Sequence, residues 1–368
     1  MKLGLKNLFQ EKTKLAISVG GIACALLLIL ILGGIFTGFE RQATAYIINS
    51  KASLWVMQKG VANMHMANTV LPAGRRDAII AVPGVRRVAA ILYLSGYIKI
   101  KGAKTLSYVV GYDRGEFTGG PWSMAKGKKD LSDDQVILAE SLAAKRGVGV
   151  GDTITVLGRR MEIAGLSRET FSMANTITFV NRDAMESMIH APGRRSYFLV
   201  SVDRGRNPGK VAAKIEQRVG GVNAMTAPAF AQSERRLIRQ MGIDMINAMS
   251  VIGFIIGVMV VGLTIFTATL EKSRDYGILK AVGAARWRLY LIVFEQALIS
   301  VALGFIAGLG LAVGARLVIE RLFPEMQLAF APGDIAKAAI AMVAIAILAS
   351  YVPIRRVAKL DPMIVFKS

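Results

Sequence analysis

The chain has 368 residues, 53% of them hydrophobic and only 19% charged, with a mean hydropathy of +0.46. Soluble domains average about 45–50% apolar and about 25% charged residues, so the excess points to membrane spans. One cysteine excludes an intrachain disulfide, and the formal charge of +21 is read through where the charges fall, because both polyanion binding and membrane topology produce cationic segments.

Residues 1–14 form a cationic, amphipathic tail carrying Lys2, Lys6, Lys12 and Lys14 against Glu11. The first span, 15–39, is a run of 25 uncharged residues. A helix of that length rises roughly 38 Å, enough for a hydrocarbon core of about 30 Å. It exceeds the ~7–15 residues of a signal h-region, so the Ala43-Thr44-Ala45 sequence is not taken as a cleavage site. Cys24, inside this run, is expected to be a small core residue.

Residues 40–244 have mixed polarity and no span. They read as a large α+β domain, with strands expected at Arg87–Lys101, Thr105–Tyr112, Asn175–Val180 and Ser196–Val202. A hairpin is expected around Gly158-Arg159-Arg160, and helices at Leu138–Lys145, Arg182–Ile189 and Pro208–Val219. The stretch 229–244 and residues 40–48 extend the neighbouring spans as two stalk helices.

A second uncharged run, 245–270, has 26 residues. The cationic loop 271–290 follows, then a third span at 291–315, a short loop at 316–337, a fourth span at 338–354, and the tail 355–368. Each charge at a bilayer centre costs about 2.5–3.5 kcal/mol on insertion scales, so these runs are spans rather than surface helices. The excess of Lys and Arg in 1–14, 271–290 and 355–368 puts both termini and the 271–290 loop in the cytoplasm. Segments 40–244 and 316–337 are then outside. The former carries 30 basic against 17 acidic residues, a net of +13, but long domains cross largely regardless of charge.

Enzymatic signatures are missing from the sequence. Gly120–Lys128 has the wrong spacing for a P-loop, and Gly147, Gly149 and Gly151 precede a strand rather than opening a helix, so they read as turns. Two histidines give a metal site or a hydrolase triad little to work with. Met57, Met64, His65 and Met66 form the one soft-ligand cluster, read first as a packed face of thioethers. No aromatic–basic interleaving suggests nucleic acid. No metal and no cofactor are expected. In the spans, the pairs Gly253/Gly257, Gly304/Gly308 and Gly310/Gly314 have the G-x-x-x-G spacing that lets helix backbones approach closely.

Three motifs carry a family resemblance. Residues 271–290 contain Glu271, Arg274, Asp275, Tyr276, Gly277, Lys280, Ala281, Gly283 and Arg286 in an order that resembles the coupling helix of FtsX/MacB-type ABC transporter permeases. The tail, with Pro353, Arg355, Arg356, Asp361 and Pro362, is similar to that family's closing sequence. The stretch Val136–Leu166, with Gly151-Asp152-Thr153, resembles the core of its extracytoplasmic domain. The ending Asp361–Phe366 looks most like the branch of DevC-type glycolipid and HrtB-type haem exporters.

The resemblance implies an integral protein of the cell (inner) membrane, multi-pass, with four transmembrane helices arranged 1 + 3 around the external domain. It implies a homodimer in contact with a separate ABC ATPase subunit that binds the ATP, so the chain itself is not an enzyme. A membrane-fusion protein or other extracytoplasmic component is a further candidate partner. The expected function is export of a hydrophobic or amphipathic compound (lipid, glycolipid, haem or drug-like) by mechanotransmission. The alternative is an FtsX-like scaffold that signals mechanically to an external partner and moves no substrate.

Overall fold

The computed structural model describes residues 12–116, 118–172, 175–271, 274, 278, 280–282, 285–323 and 326–358. They divide into two units: an inserted domain, 38–241 with 324–327, and a helical unit from the remaining chain.

The described residues form eight helices and thirteen strands. The helices are α1 (Lys12–Asn49), α2 (Arg75–Ile80), α3 (Glu140–Arg146), α4 (Arg182–Met188), α5 (Pro208–Val219), α6 (Ala227–Glu271), α7 (Arg286–Leu322) and α8 (Pro332–Ala358). The strands are β1 (Leu54–Gln58), β2 (Leu71–Pro72), β3 (Val85–Ile100), β4 (Ala103–Tyr112), β5 (Met124–Gly127), β6 (Gln135–Ala139) and β7 (Thr153–Val156). They continue with β8 (Arg159–Ser167), β9 (Phe171–Ser172), β10 (Asn175–Asn181), β11 (Arg194–Arg195), β12 (Tyr197–Val202) and β13 (Val222–Thr226).

In the inserted domain, one mixed sheet runs β13-β1-β12-β3-β4-β10-β6-β8-β5; β7 joins β3 to β8, and β9 joins β10. The pairs β10–β4 and β6–β8 are parallel, and the other pairs are antiparallel. The helices follow local chemistry. Asn181 caps α4 by accepting from the amides of Asp183 (2.8 Å) and Ala184 (3.4 Å). Asn207 caps α5 ahead of Pro208, and the apolar stripe Val211, Ala212 and Ile215 is buried.

Gly147 closes α3 in the left-handed conformation, φ 61°, so the glycine run ends a helix instead of opening one. Two local expectations shift. Leu138 and Ala139 belong to β6, and the helix starts at Glu140. The hairpin turn is Leu157-Gly158, with φ of 48° and 89°, so Arg159 and Arg160 already lie in β8. Paired positive φ is the requirement of the tight turn that matches strand twist.

The core of the domain gathers Tyr46, Trp55, Tyr112, Phe179, Tyr197 and Phe230. Tyr46 sits edge-on to Trp55 at 5.7 Å and donates to the Gly119 carbonyl at 2.6 Å. Because Tyr46 is on α1 and Phe230 on α6, both helices are rooted in this core. Glu40 and Arg239 join the same two helices through a two-pronged ion pair of 2.6 and 3.1 Å.

In the helical unit, four helices are long and apolar enough to cross a membrane: Leu15–Asn49, Ser250–Glu271, Trp287–Leu322 and Pro332–Arg355. Their shared core includes Ile22, Leu26, Val261, Val293, Ala297, Met342 and Ile345. Cys24 departs from expectation: it is exposed on α1, outside that shared core. A helix in lipid can present small apolar residues outward at no cost, so an apolar run alone does not show which side packs.

Candidate functional site

Close approach of the helices depends on glycine. A Cβ on Gly308 of α7 would stand 2.9 Å from the Ala23 carbonyl oxygen and 3.0 Å from Leu26 of α1; one on Gly304 would meet Ile22 at 2.5 Å. On α6, Gly253 faces Ile29 of α1 at 2.9 Å, and Gly257 faces Ile345 of α8 at 2.8 Å. The third pair differs: among the described residues nothing lies within 4 Å of where a Cβ on Gly310 or Gly314 would be, so this pair is not used for packing within the chain. That face of α7 has no neighbour among the described residues, and the adjacent Leu311 and Val313 are exposed.

A cavity of about 420 Å³ opens between α1, α6 and α8. One end is polar, with Asn247, Asp334 and Lys337; the other is apolar, with Ile29, Phe254 and Ala341. Phe330, just before α8, packs its ring where a Cβ on Gly34 would come within 2.7 Å, and the Ala329 amide donates to the Gly34 carbonyl at 3.1 Å. Asp334 accepts from the Thr37 hydroxyl at 3.4 Å and lies 3.9 Å from Lys337. The size falls within the ~300–1,000 Å³ of small-molecule pockets.

Of the residues expected to couple to an ATPase, Asp275, Tyr276, Gly277 and Gly283 lie outside the described residues. Glu271 ends α6, Arg286 opens α7, and Arg274, Lys280 and Ala281 are helical. Ile278 is 45% and Val282 83% exposed, one helical turn apart and joined by the Val282 amide donating to the Ile278 carbonyl at 3.0 Å. Trp287 is also exposed. Of the tail motif, Pro353 is buried within α8. Arg355 is exposed and stacks its guanidinium over the Tyr351 ring at 4.5 Å. Arg356 lies in the last turn of α8, while Asp361 and Pro362 lie outside the described residues.

The soft-ligand cluster is not assembled as a ligand set. His65 is bonded at both ring nitrogens, Nδ1 to Glu234 (2.6 Å) and Nε2 to Ser172 (2.7 Å). Met57 and Met64 pack in the core, and Met66 is 60% exposed. Among the described residues, no three His, Cys, Asp or Glu side chains gather as metal ligands. The Glu234–His65–Ser172 chain was invisible in sequence, its members being 169 and 107 residues apart. The one available signal was a lone histidine beside methionines, opposite a glutamate on a stalk helix.

Comparison with known proteins bears on the whole chain. Residues 15–218 match the family described as MacB-like periplasmic core domain, and residues 247–362 the family described as FtsX-like permease C-terminal. An uncharacterized ABC transporter permease of Mycobacterium tuberculosis is 24% identical over 361 residues, 97% of this chain and 97% of its own. One from Mycobacterium bovis is 22% identical over 363 residues, 98% of each. The macrolide export ATP-binding/permease protein MacB of Agrobacterium fabrum is 28% identical over 163 residues, 44% of this chain and 25% of that protein.

Among solved structures, the periplasmic region of MacB from Actinobacillus actinomycetemcomitans aligns with a TM-score of 0.39 at 12% identity, covering 50% of this chain and 92% of that one. The extracellular domain of the transporter YknZ from Gram-positive bacteria aligns at 0.37 and 14%, covering 48% and 99%. With a MacB-type domain matched over more than half of the chain and an FtsX-type permease region matched after it, the chain belongs to the MacB/FtsX family of ABC transporter permeases.

Proposed function

We propose that two copies of this chain work with a separate ATPase to export a hydrophobic or amphipathic compound from the outer side of the cell membrane. Both termini and the 271–290 segment face the cytoplasm in this reading, and the inserted domain lies outside. The observation that carries it is the cavity between α1, α6 and α8, apolar at one end and polar at the other. The exposed Ile278–Val282 turn, in a segment that also carries Arg274, Lys280 and Arg286, supplies an apolar knob in a cationic setting for the ATPase. ATP is bound by that partner, and the chain contributes no catalytic group. Movement of the coupling segment passes along α6, and through its ion pair to α1, into the inserted domain.

The test is copurification with the ATPase encoded nearest to it, followed by turnover assays across lipids, haem and drugs. Stimulation by one compound class supports export. A stable complex indifferent to all of them overturns export and favours the second reading, a mechanical scaffold. That second reading draws on the unbroken 38-residue α1 and 45-residue α6. Val282→Asp or Arg286→Glu is expected to weaken association with the ATPase at least about tenfold, as loss of an interface anchor does; unchanged association would remove the coupling assignment.

A further inference from the structure

The cavity in the helical unit is graded along its length, and the gradient describes its ligand. Three helices bring matching depths together. Asn247 of α6, Gly34 of α1 and Asp334 of α8 mark one end; Phe254, Ile29 and Ala341 mark the other. Seven residues separate 247 from 254 and 334 from 341, so the two ends are about 10 Å apart at the helical rise. The end near Asp334 meets Thr37 of α1, eight residues on from Ile29 at the apolar end.

One glycine shapes the wall. Gly34 makes room for the Phe330 ring that covers the polar end, and a Cβ on Gly33 would meet nothing within 4 Å. The polar end holds both signs of charge. Asp334 is fixed on one side by the Thr37 hydroxyl. Lys337 stands one turn on at 3.9 Å, with its side chain 83% exposed against 40% for Asp334. An exposed pair at that distance is worth about 0–1 kcal/mol, so either partner is readily available to a better one. An apolar slot of this volume fits one chain rather than a bundle of chains, and a carboxylate beside an ammonium complements a head group carrying an ammonium beside an anion.

We infer that this cavity binds a single-chain zwitterionic amphiphile, its tail along Ile29, Phe254 and Ala341 and its head group between Asp334 and Lys337. The assignment of that occupant as cargo rests on the export reading; binding itself does not. The head group's ammonium meets Asp334, its phosphate or other anion meets Lys337, and Asn247 and Ser250 supply neutral hydrogen bonds beside them. A purely cationic or purely anionic head group leaves one of the two charges facing its own sign or no partner.

The experiment uses the full chain in lipid nanodiscs with Phe254→Trp as a reporter, read against the parent chain to subtract Trp55, Trp122 and Trp287. Three amphiphiles share one bromine-bearing tail and differ in head group: phosphocholine, trimethylammonium and sulfate. The phosphocholine compound is expected to quench the introduced indole saturably, with at least about tenfold tighter binding than the other two, the size of one desolvated charge contact. Asp334→Lys is expected to move the preference to the sulfate compound, and Ala341→Trp, which fills the tail end, to abolish saturable quenching.

Equal quenching by all three, rising linearly with their content in the bilayer, means bulk lipid only and overturns the inference. So does a preference untouched by Asp334→Lys. ATPase turnover of the parent complex, measured with the same compounds, separates the two readings. Quenching without stimulation leaves the site and removes export; stimulation without quenching leaves export and removes this site.

Discussion

Glu234 and His65 stand 169 residues apart in the chain and 2.6 Å apart in space. The other Glu234 oxygen accepts the Met64 amide at 2.6 Å, and both side chains are fully enclosed. Glu234 lies on α6, so this contact fastens the segment around residues 64–65 to a helix that leads into the helical unit.

Replacing Glu234 by Leu strands two buried donors, each worth about 1–3 kcal/mol when left unpaired. The variant is expected to lose at least about 2 kcal/mol in denaturant unfolding and to become protease-sensitive near Met64 and Met66. Glu234→Gln, which keeps an oxygen for the Met64 amide, is expected to lose less. Parent-like unfolding and cleavage of Glu234→Leu would show that the contact holds nothing.

Gly308 and Gly310 offer a contrast two residues apart on one helix. Alanine normally improves a helix over glycine by about 0.5–1 kcal/mol. At Gly310, with nothing within 4 Å, Ala is expected to be neutral or stabilising. At Gly308 the added methyl meets the Ala23 carbonyl at 2.9 Å, and overpacking of this kind costs about 1–3 kcal/mol. Thermal unfolding of the two variants in the same nanodiscs decides it; equal midpoints would contradict the close α1–α7 contact. A destabilised Gly310→Ala dimer would instead place that face between copies.

Alkali is expected to unfold the inserted domain. Burial pushes the hydroxyls of Tyr93, Tyr112 and Tyr197 above their ordinary value of 10.0, with Glu234 adding to the rise at Tyr197 and Asp130 at Tyr112. Their folded-state values exceed their unfolded ones, so the protonated form is favoured by the fold. The stabilisation is complete below about pH 10 and is lost as pH rises toward the folded values. Tyrosinate absorbance from these three is expected to appear together with loss of β-sheet circular dichroism. A smooth titration near pH 10 with the sheet intact would count against their burial.

Tyr46→Phe removes the donor to the Gly119 carbonyl and is expected to cost about 1 kcal/mol. Tyr46→Ala removes the ring from the contact with Trp55 as well and is expected to cost about 3–5 kcal/mol. If the helix root matters for coupling, Tyr46→Ala also lowers compound-stimulated turnover in complexes that still form. Stimulation equal to the parent's at equal folded fraction would separate the root from the coupling path.

The spans were legible because burying charge in lipid is so costly that its avoidance leaves long uncharged runs. Strands β3, β4, β10 and β12 were legible from their β-branched and aromatic content. Less was readable where the answer depended on facing. The spacing Gly310/Gly314 equals that of Gly304/Gly308, yet among the described residues the latter pair meets another helix and the former does not. Cys24 sits in an apolar run like Ile22 and Leu26, yet they are buried and it is exposed. The cavity and the Glu234–His65–Ser172 chain assemble residues from three distant segments each, and no local pattern encodes such a meeting. The motif at 271–290 pointed to the right family, while the exposed Ile278 and Val282 within it are two apolar residues that its charges outnumber.

The Glu40–Arg239 pair has a further consequence. Arg239 is 64% exposed while the Glu40 side chain is 8% exposed, so the arginine is the partner that keeps an enclosed carboxylate paired. The pair's other value is geometric. A lone rod conveys thrust but spins about its own axis, and any torque applied at one end dissipates as free rotation. Two rods bridged side by side resist counter-rotation, so under the proposed coupling twist would travel along with thrust. Under the proposed coupling, loosening that bridge, as in Arg239→Ala, would weaken the torsional component more than the axial one, with the core roots at Tyr46 and Phe230 still in place.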